Sequence, residues 1–390
     1  MKYDFILFEN AYDLENHYID LSLFASLLKK MGYSVAIANV FKESDLCCDS
    51  SIPHITLQYR CPKHFSTLAK YRKRTNSIKF HFNRILHSLY LVYVIVTLSR
   101  KGKNIYIGSL TTYTPFLWLF FFSQKNNYFI WGLRSHILHS WKNKINSFVL
   151  TAMLRTYKIK KSSNIKLIVS NDIIKKEFVS LGISSNRIVV RPERWITKQT
   201  KNVILHKSIE NQTNFLTIGT LRRSKHVEYV LDALKLINDS TYSYTIAGRC
   251  KDDNGYEEML KKHSQGISNV RRINTFINQE DYINLFQQSD FLILCDEKEI
   301  SCPTNGTMVE SLIMGKPIIA PNHEPFKSEI EKYGIGLLYD FNNLQSLVKT
   351  LRIACTMGCN SFSSNISQYQ EMLLERNVIL IVDAQMKKII

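Results

Sequence analysis

Three cationic side chains follow a predicted strand in the second half of the sequence. Residues 214–218 are predicted to form the strand, Gly219 comes next, and Arg222, Arg223 and Lys225 follow. The carboxyl edge of a parallel sheet is where α/β proteins bind ligands. An arginine fork can hold two phosphate oxygens, and a lysine adds a point charge. The pattern therefore predicts a phosphate site, with a solvated surface turn as the alternative.

A second stretch that could bind an anion lies between two apolar runs. Residues 291–294 and 318–320 are predicted to be buried strands, and a short helix between them ends at Gly315. The residues at the start of this helix are Asn305, Gly306, Thr307 and Met308. Because a helix start directs unpaired N–H groups and the positive end of its dipole outward, the sequence predicts an anion pocket here.

Thr307 and Glu310 have two interpretations. Thr307 could add a hydroxyl to a phosphate, and Glu310 could accept hydrogen bonds from a sugar diol. The same pair fits a capping box, in which Glu310 only satisfies the start of its own helix. The sequence leaves both interpretations open.

In the first half, polar side chains follow the predicted strand Tyr128–Trp131. Arg134 and His136 come directly after it and are the candidate catalytic residues of this half. His139 competes with His136 for this role. A surface arginine and an ordinary half-buried histidine would give the same pattern.

Apolar runs and helical patterns alternate along the chain, which is typical of α/β proteins with parallel sheets. The predicted strands are 3–8, 34–40, 104–107, 128–131, 166–170, 187–191, 214–218, 244–248, 270–276, 291–294 and 318–320, and the main predicted helices are 18–31, 82–98, 113–122, 172–181, 227–237, 257–263 and 279–288. We therefore predict two Rossmann-like domains, residues 1–197 and 198–368. A tail, residues 369–390, could pack back on the first domain.

The charge is strongly asymmetric. The formal net charge is +18, and no Asp or Glu lies between Asp49 and Asp172, a span with 20 Lys and Arg. Such a surface would attract an anionic membrane leaflet, a lipid pyrophosphate or a nucleic acid. No recognised nucleic-acid motif is present, so a membrane or lipid partner is favoured. A solvated lysine-rich surface is the alternative.

The cysteines and the apolar segments indicate a cytoplasmic protein. The 8 cysteines show no disulfide or metal framework, and a zinc site from Cys355 and Cys359 has no second pair. Met1–Asn10 does not resemble a signal peptide. The most apolar stretch, 85–98, is too short to span a bilayer.

The C-terminal half resembles the nucleotide-binding domain of family 4 (group 1) retaining glycosyltransferases, which have the GT-B fold of two Rossmann-like domains facing across a cleft. Glu310, followed by Gly315-Lys316-Pro317, matches the second half of the family's Glu-x7-Glu motif, and Cys302 stands at the first glutamate. Lys225 matches the lysine that grips the donor diphosphate. Thr220 stands at the accompanying arginine, so Arg222 or Arg223 is the expected substitute.

The resemblance also implies the rest of the donor site. The backbone at the counterpart of Phe276 faces the nucleotide base in the family, and Gly248 lies in the turn after the preceding strand. A histidine near the position of His136 lies close to the transferred sugar. A metal is not required, because cations and N–H groups can stabilise the departing diphosphate. The nucleotide-diphosphate sugar is then a donor substrate, and no cofactor is expected.

The expected function is transfer of a sugar to a growing, lipid-linked cell-surface glycan, such as O-antigen, capsule or exopolysaccharide, by a peripheral protein at the inner membrane face. Only Glu9, Asp13 and His136 could serve as a base on the acceptor side, which favours retention. Two alternatives remain open at this point. One is a sugar-nucleotide epimerase of similar fold, and the other is a non-catalytic glycosyltransferase-like subunit.

Overall fold

The structure is a computed structural model. It describes residues 2–9, 16–41, 51–61, 78–108, 125–131, 164–180, 182–197, 212–237, 241–250, 254–297 and 305–390. The chain forms two compact units, of which unit 1 is Met1–Glu193 with Val378–Ile390 and unit 2 is Arg194–Asn377. The predicted domain boundary after residue 197 lies a few residues beyond the boundary after Glu193 that the structure shows. The helix predicted at 113–122 lies outside the described residues.

Unit 1 is built on a parallel seven-stranded sheet in the order β3-β2-β1-β4-β5-β6-β7. Its elements are β1 (Tyr3–Phe8), α1 (Asn16–Lys30), β2 (Val35–Phe41), β3 (His54–Cys61), α2 (Ile78–Ser99), β4 (Gly102–Ile107), β5 (Asn127–Trp131), β6 (Ile165–Val169), α3 (Asp172–Ser180) and β7 (Ile188–Val190). The central strands are apolar on both faces, as strands covered by helices on both sides must be.

In unit 1, helix α2 was predicted from the sequence pattern, whereas strand β3 was not. In α2, Leu91, Val94, Ile95 and Leu98 are fully buried and lie on one helical stripe, so this helix packs on the core. Strand β3 was not predicted, because its buried apolar residues Ile55 and Leu57 stand within a polar segment. It is an edge strand that is defined by its pairing with β2.

Unit 2 contains a second parallel sheet of six strands in the order β10-β9-β8-β11-β12-β13. Its elements are β8 (Thr213–Ile218), α4 (Val227–Ile237), β9 (Tyr242–Ala247), α5 (Asn254–Ser264), β10 (Val270–Ile273), α6 (Gln279–Gln287), β11 (Phe291–Ile293), α7 (Gly306–Ile313), β12 (Ile318–Pro321), α8 (Phe326–Tyr333), β13 (Gly336–Tyr339), α9 (Leu344–Met357) and α10 (Ser363–Leu373). The predicted fold class, two Rossmann-like α/β domains, is confirmed. Strand β10 ends at Ile273, earlier than predicted, and Asn278 caps the next helix by accepting a hydrogen bond from Asp281 N.

The last helix, α11 (Glu375–Met386), runs from unit 2 into unit 1. Val378, Val382 and Met386 recur at helical spacing and are buried. The Gln385 amide replaces a neighbouring strand along β7: its Oε1 accepts from Val190 N at 2.9 Å, and its Nε2 donates to Val190 O at 3.1 Å. The backbone groups of this strand end are therefore satisfied by a side chain.

None of the described helices has both the length and the hydropathy needed to cross a bilayer.

Candidate functional site

The candidate site of unit 2 lies where the strand order reverses. Strands β8 and β11 are neighbours in the sheet, and the connections that follow them lead in opposite directions along it. In doubly wound sheets this arrangement opens a crevice at the carboxyl ends of the two strands. The loop after β8 carries the predicted cations, and the loop after β11 leads to α7.

Two glycines bring the backbones of β8 and β9 together at this edge. Gly219 has a φ of +110° and Gly248 a φ of +133°. A Cβ on Gly248 would lie 1.9 Å from the Gly219 carbonyl oxygen, which is a clash with backbone. Gly219 N also donates to Ala247 O at 3.0 Å. Because no side chain fits at Gly248, the Gly219 backbone forms the floor of the crevice.

Lys225 and Thr307 converge above this floor. A Cβ placed on Gly219 would lie 3.7 Å from Lys225 Nζ and 3.9 Å from Thr307 Oγ1, and apart from Gly219 and its two chain neighbours no other described residue has a heavy atom within 4 Å of it. Lys225 is only 9% exposed, and in the described part of the chain no carboxylate pairs with its ammonium. A buried, unpaired ammonium beside a hydroxyl and open backbone is suited to binding an anion.

The turn that carries Lys225 is a single 3₁₀ turn, Arg223–Lys225, which ends at His226 in the left-handed region with a φ of 44°. Both His226 ring nitrogens face carboxylates, Glu228 Oε1 at 3.2 Å and Glu297 Oε2 at 3.3 Å. Glu297 N donates to Ser224 O at 2.9 Å. These contacts connect the turn after β8 to the segment after β11, so the two halves of the crevice are held together.

The two arginines before Lys225 differ in their surroundings. Both occupy exposed positions. The Arg223 guanidinium lies 5.8 Å from the centre of the Tyr256 ring and contacts Met259, both on α5. Arg223 is therefore oriented by packing on α5, whereas Arg222 precedes the turn in extended conformation.

Helix α7 is capped by Asn305. Its side chain accepts a hydrogen bond from Met308 N at 3.1 Å, and Met308 itself is buried. The capping-box interpretation of Thr307 and Glu310 is therefore wrong, because another residue occupies the N-cap position. The N–H groups of Gly306 and Thr307 are in the first turn, where their own helix offers them no acceptor, and a helix start of this kind can bind an anion.

Glu310 lies one turn into α7 and contacts side chains from two other segments. Tyr282 OH donates to Glu310 Oε2. On the other side, Arg194 Nε lies 3.8 Å from Glu310 Oε1, and the Glu310 side chain keeps about a third of its surface exposed. Tyr282 and Arg194 were not singled out from the sequence, because neither lies in a recognisable motif.

The comparisons with known proteins bear on this geometry. Residues 199–371 match the family model of glycosyl transferases group 1. The chain carries a group 1 glycosyltransferase domain. This domain covers almost all of unit 2 and contains Lys225, Thr307 and Glu310. No curated protein sequence matches the chain significantly.

Solved structures of similar fold span the full chain. They include a sucrose-phosphate synthase from Thermosynechococcus elongatus (12% identity, 99% of this chain and 98% of that chain covered, TM-score 0.69). WaaG, a glycosyltransferase involved in lipopolysaccharide biosynthesis, covers 97% of this chain and 98% of its own at 15% identity and a TM-score of 0.62. The alignment with Anabaena HepE in complex with UDP covers 100% of this chain and 99% of that chain, at 14% identity and a TM-score of 0.64. These similarities show that the fold is GT-B.

The other predicted site residues of the glycosyltransferase domain lie along the same sheet edge or outside the described residues. Phe276 is 69% exposed in the loop after β10, which pairs with β9, the strand that Gly248 follows. Cys302 lies outside the described residues. In unit 1, Arg134, His136 and His139 also lie outside them, so their predicted roles stay predictions.

In the described part of the chain, no three His, Cys, Asp or Glu side chains are arranged to hold a metal ion. Cys355 and Cys359 lie at the opposite end of the sheet from the crevice, beside Asp290, which accepts from Asn214 N at 2.7 Å.

Proposed function

We propose that the chain transfers a sugar from a nucleoside-diphosphate sugar to a growing, lipid-linked cell-surface glycan. The observation that supports this most directly is the convergence of the Lys225 ammonium and the Thr307 hydroxyl over the Gly219 backbone. A diphosphate fits a crevice of this kind, because it accepts hydrogen bonds and is attracted by the helix start. The structure of HepE in complex with UDP supports a nucleoside diphosphate as the ligand.

The leaving group of the proposed reaction is the nucleoside diphosphate. The bond between the sugar C1 and the diphosphate oxygen breaks, and the negative charge that develops is stabilised by Lys225, by Arg222 or Arg223, and by the first N–H groups of α7. These groups supply the stabilisation for which other enzymes use a metal ion. We therefore propose a metal-independent reaction.

We further propose that the configuration at C1 is retained. The acceptor oxygen attacks C1 on the face from which the diphosphate departs, a C1–O bond forms, and the acceptor proton passes to a phosphate oxygen. The carboxylate-free span between Asp49 and Asp172 supports this route, because it contributes no carboxylate base to unit 1. His136 and Arg134 remain proposed contacts to the transferred sugar.

Donor binding is testable by thermal unfolding of the purified protein with UDP, GDP, ADP, CMP and TDP. One nucleoside diphosphate is expected to raise the melting temperature selectively, since a ligand at about 100 times its Kd stabilises the folded state by about 2.7 kcal/mol. Sugar transfer from the matching donor, with the product anomer assigned by proton NMR, then tests retention. If no nucleotide produced a shift, the non-catalytic alternative would be favoured.

The acceptor side is proposed to bind an anionic membrane surface. Exposed Arg100, Lys101 and Lys103 belong to the carboxylate-free span, and two further side chains of the same span, Tyr59 on β3 and Leu89 on α2, expose 63% and 53% of their surface. Basic and aromatic side chains together favour the headgroup region. The similarity to WaaG, which is involved in lipopolysaccharide biosynthesis, supports a lipid-linked acceptor.

Sedimentation with lipid vesicles tests this part of the proposal. The protein is expected to sediment with vesicles that contain phosphatidylglycerol and to be released when NaCl is raised to about 0.5 M, because surface charges are then screened. Vesicles of phosphatidylcholine alone serve as the control. Equal binding to both vesicle types would contradict an electrostatic membrane contact.

A further inference from the structure

Glu310 is held by a phenol rather than by its own helix. Tyr282 lies in the first turn of α6, and its hydroxyl donates to Glu310 Oε2 on α7. The Tyr282 ring packs 5.1 Å from the ring of Phe286, which is fully buried one turn further along α6. Asn278 fixes the start of α6 as its N-cap. The position of the phenol is therefore set by packing and capping.

The Tyr282 phenol is the hydrogen-bond donor in its contact with Glu310. Burial, and then the negative charge of Glu310, raise the pKa of Tyr282 well above that of a free tyrosine. A phenol in this state stays protonated and donates its single O–H. Oε2 of Glu310 is consequently engaged on one side by the phenol.

The other carboxylate oxygen has a different environment. Arg194 Nε lies 3.8 Å from Oε1, which is an ion-pair distance and not a hydrogen bond. Without Tyr282 the carboxylate could rotate and form a closer pair with Arg194, and its lone pairs would then be turned away from the crevice. The hydrogen bond from Tyr282 opposes this rotation and keeps Oε1 able to accept from a ligand.

We propose that Tyr282 is a positioning residue that orients Glu310 toward the ribose hydroxyls of the donor nucleotide, so that ribose recognition depends on the Tyr282 phenol. This inference rests on the proposed donor site. The ligand class is a ribonucleoside diphosphate, and the neutral O–H groups of a vicinal diol are matched by carboxylate acceptors.

The test compares UDP with 2′,3′-dideoxy-UDP by isothermal titration calorimetry, with GDP and its dideoxy form as a second pair. Tyr282→Phe keeps the ring on Phe286 and removes only the hydroxyl. It is expected to weaken binding of the ribonucleotide about tenfold, the effect of losing one hydrogen bond to a charged group. Binding of the dideoxy nucleotide is expected to be unchanged, since that ligand has no ribose hydroxyl that could donate a hydrogen bond to Glu310.

Two further variants separate positioning from a general loss of structure. In a Glu310→Gln background, Tyr282→Phe should cost much less than in the unmodified protein, because the two residues act on one contact. Tyr369→Phe is a matched control, since Tyr369 is a buried phenol hydrogen-bonded to Glu329 on α8 and lies outside the crevice. It should leave the affinity for both nucleotides unchanged.

The outcomes are distinct. An equal loss of affinity for the ribo and dideoxy nucleotides in Tyr282→Phe, or no loss for either, would overturn the inference while leaving the proposed donor site intact. If the unmodified protein bound none of the five nucleotides of the thermal-unfolding test, the proposed function would fail first.

Discussion

Asp20→Ala is expected to lower the free energy of unfolding of unit 1 by about 3–5 kcal/mol, because it removes the carboxylate that forms an ion pair with a buried guanidinium. Arg191 follows β7 and is 0% exposed. Its NH1 and NH2 donate to the two Asp20 carboxylate oxygens at 3.1 and 3.0 Å. The guanidinium also lies 4.0 Å from the Trp131 ring centre and 4.9 Å from that of Phe24.

This loss can be measured by urea denaturation, with hydrogen exchange in peptides that cover β6 and β7 to assign the transition to unit 1. Lys103→Ala is the control, because it removes one member of an ion pair with Asp4 in which the lysine is 63% exposed. Exposed pairs contribute about 0–1 kcal/mol.

The double variant Asp20→Leu, Arg191→Met should recover most of the loss, since it removes both charges. A loss below about 1 kcal/mol in Asp20→Ala would show that the ion pair does not stabilise the unit.

Lys225→Ala is expected to weaken binding of the nucleoside diphosphate by about 10- to 100-fold, because a hydrogen bond to a charged group contributes about 1.5–3 kcal/mol. The rate of sugar transfer should fall further, since the charge on the diphosphate grows as the C1–O bond breaks. The unliganded protein should unfold at the same temperature or a higher one. No carboxylate of the described residues pairs with the buried Lys225 ammonium, and a buried charge of this kind costs stability when no ligand is bound.

The measurement is calorimetric titration together with thermal unfolding of both proteins without ligand. Lys235→Ala is a matched control, because Lys235 lies on the next helix, α4, with its side chain 40% exposed and 4.0 Å from Asp232. It should change neither binding nor stability by more than a few tenths of a kcal/mol. Unchanged nucleotide affinity in Lys225→Ala would contradict the proposed phosphate site.

The elements of unit 2 were predicted best where the pattern of apolar and polar residues is local. Helix α4 spans the predicted residues 227–237 because Val227, Val230, Leu231 and Leu234 form a buried stripe bounded by polar residues. Strand β8 and Gly219 were recognisable because an apolar run and a glycine turn are adjacent in sequence. That Lys225 and Thr307 lie on either side of one crevice depends on the order of the parallel strands, which the structure supplied.

The sequence by itself determined the two parallel sheets, the helix start at Asn305 and the cations near Gly219, because each depends on residues close together along the chain. Only the tertiary structure decided which side chains contact the Glu310 carboxylate and the Arg191 guanidinium. Tyr282 and Glu310 are 28 residues apart, and Asp20 and Arg191 are 171 apart. A polar contact between elements depends on how helices pack on the sheet, and neither periodicity nor a short motif records that packing.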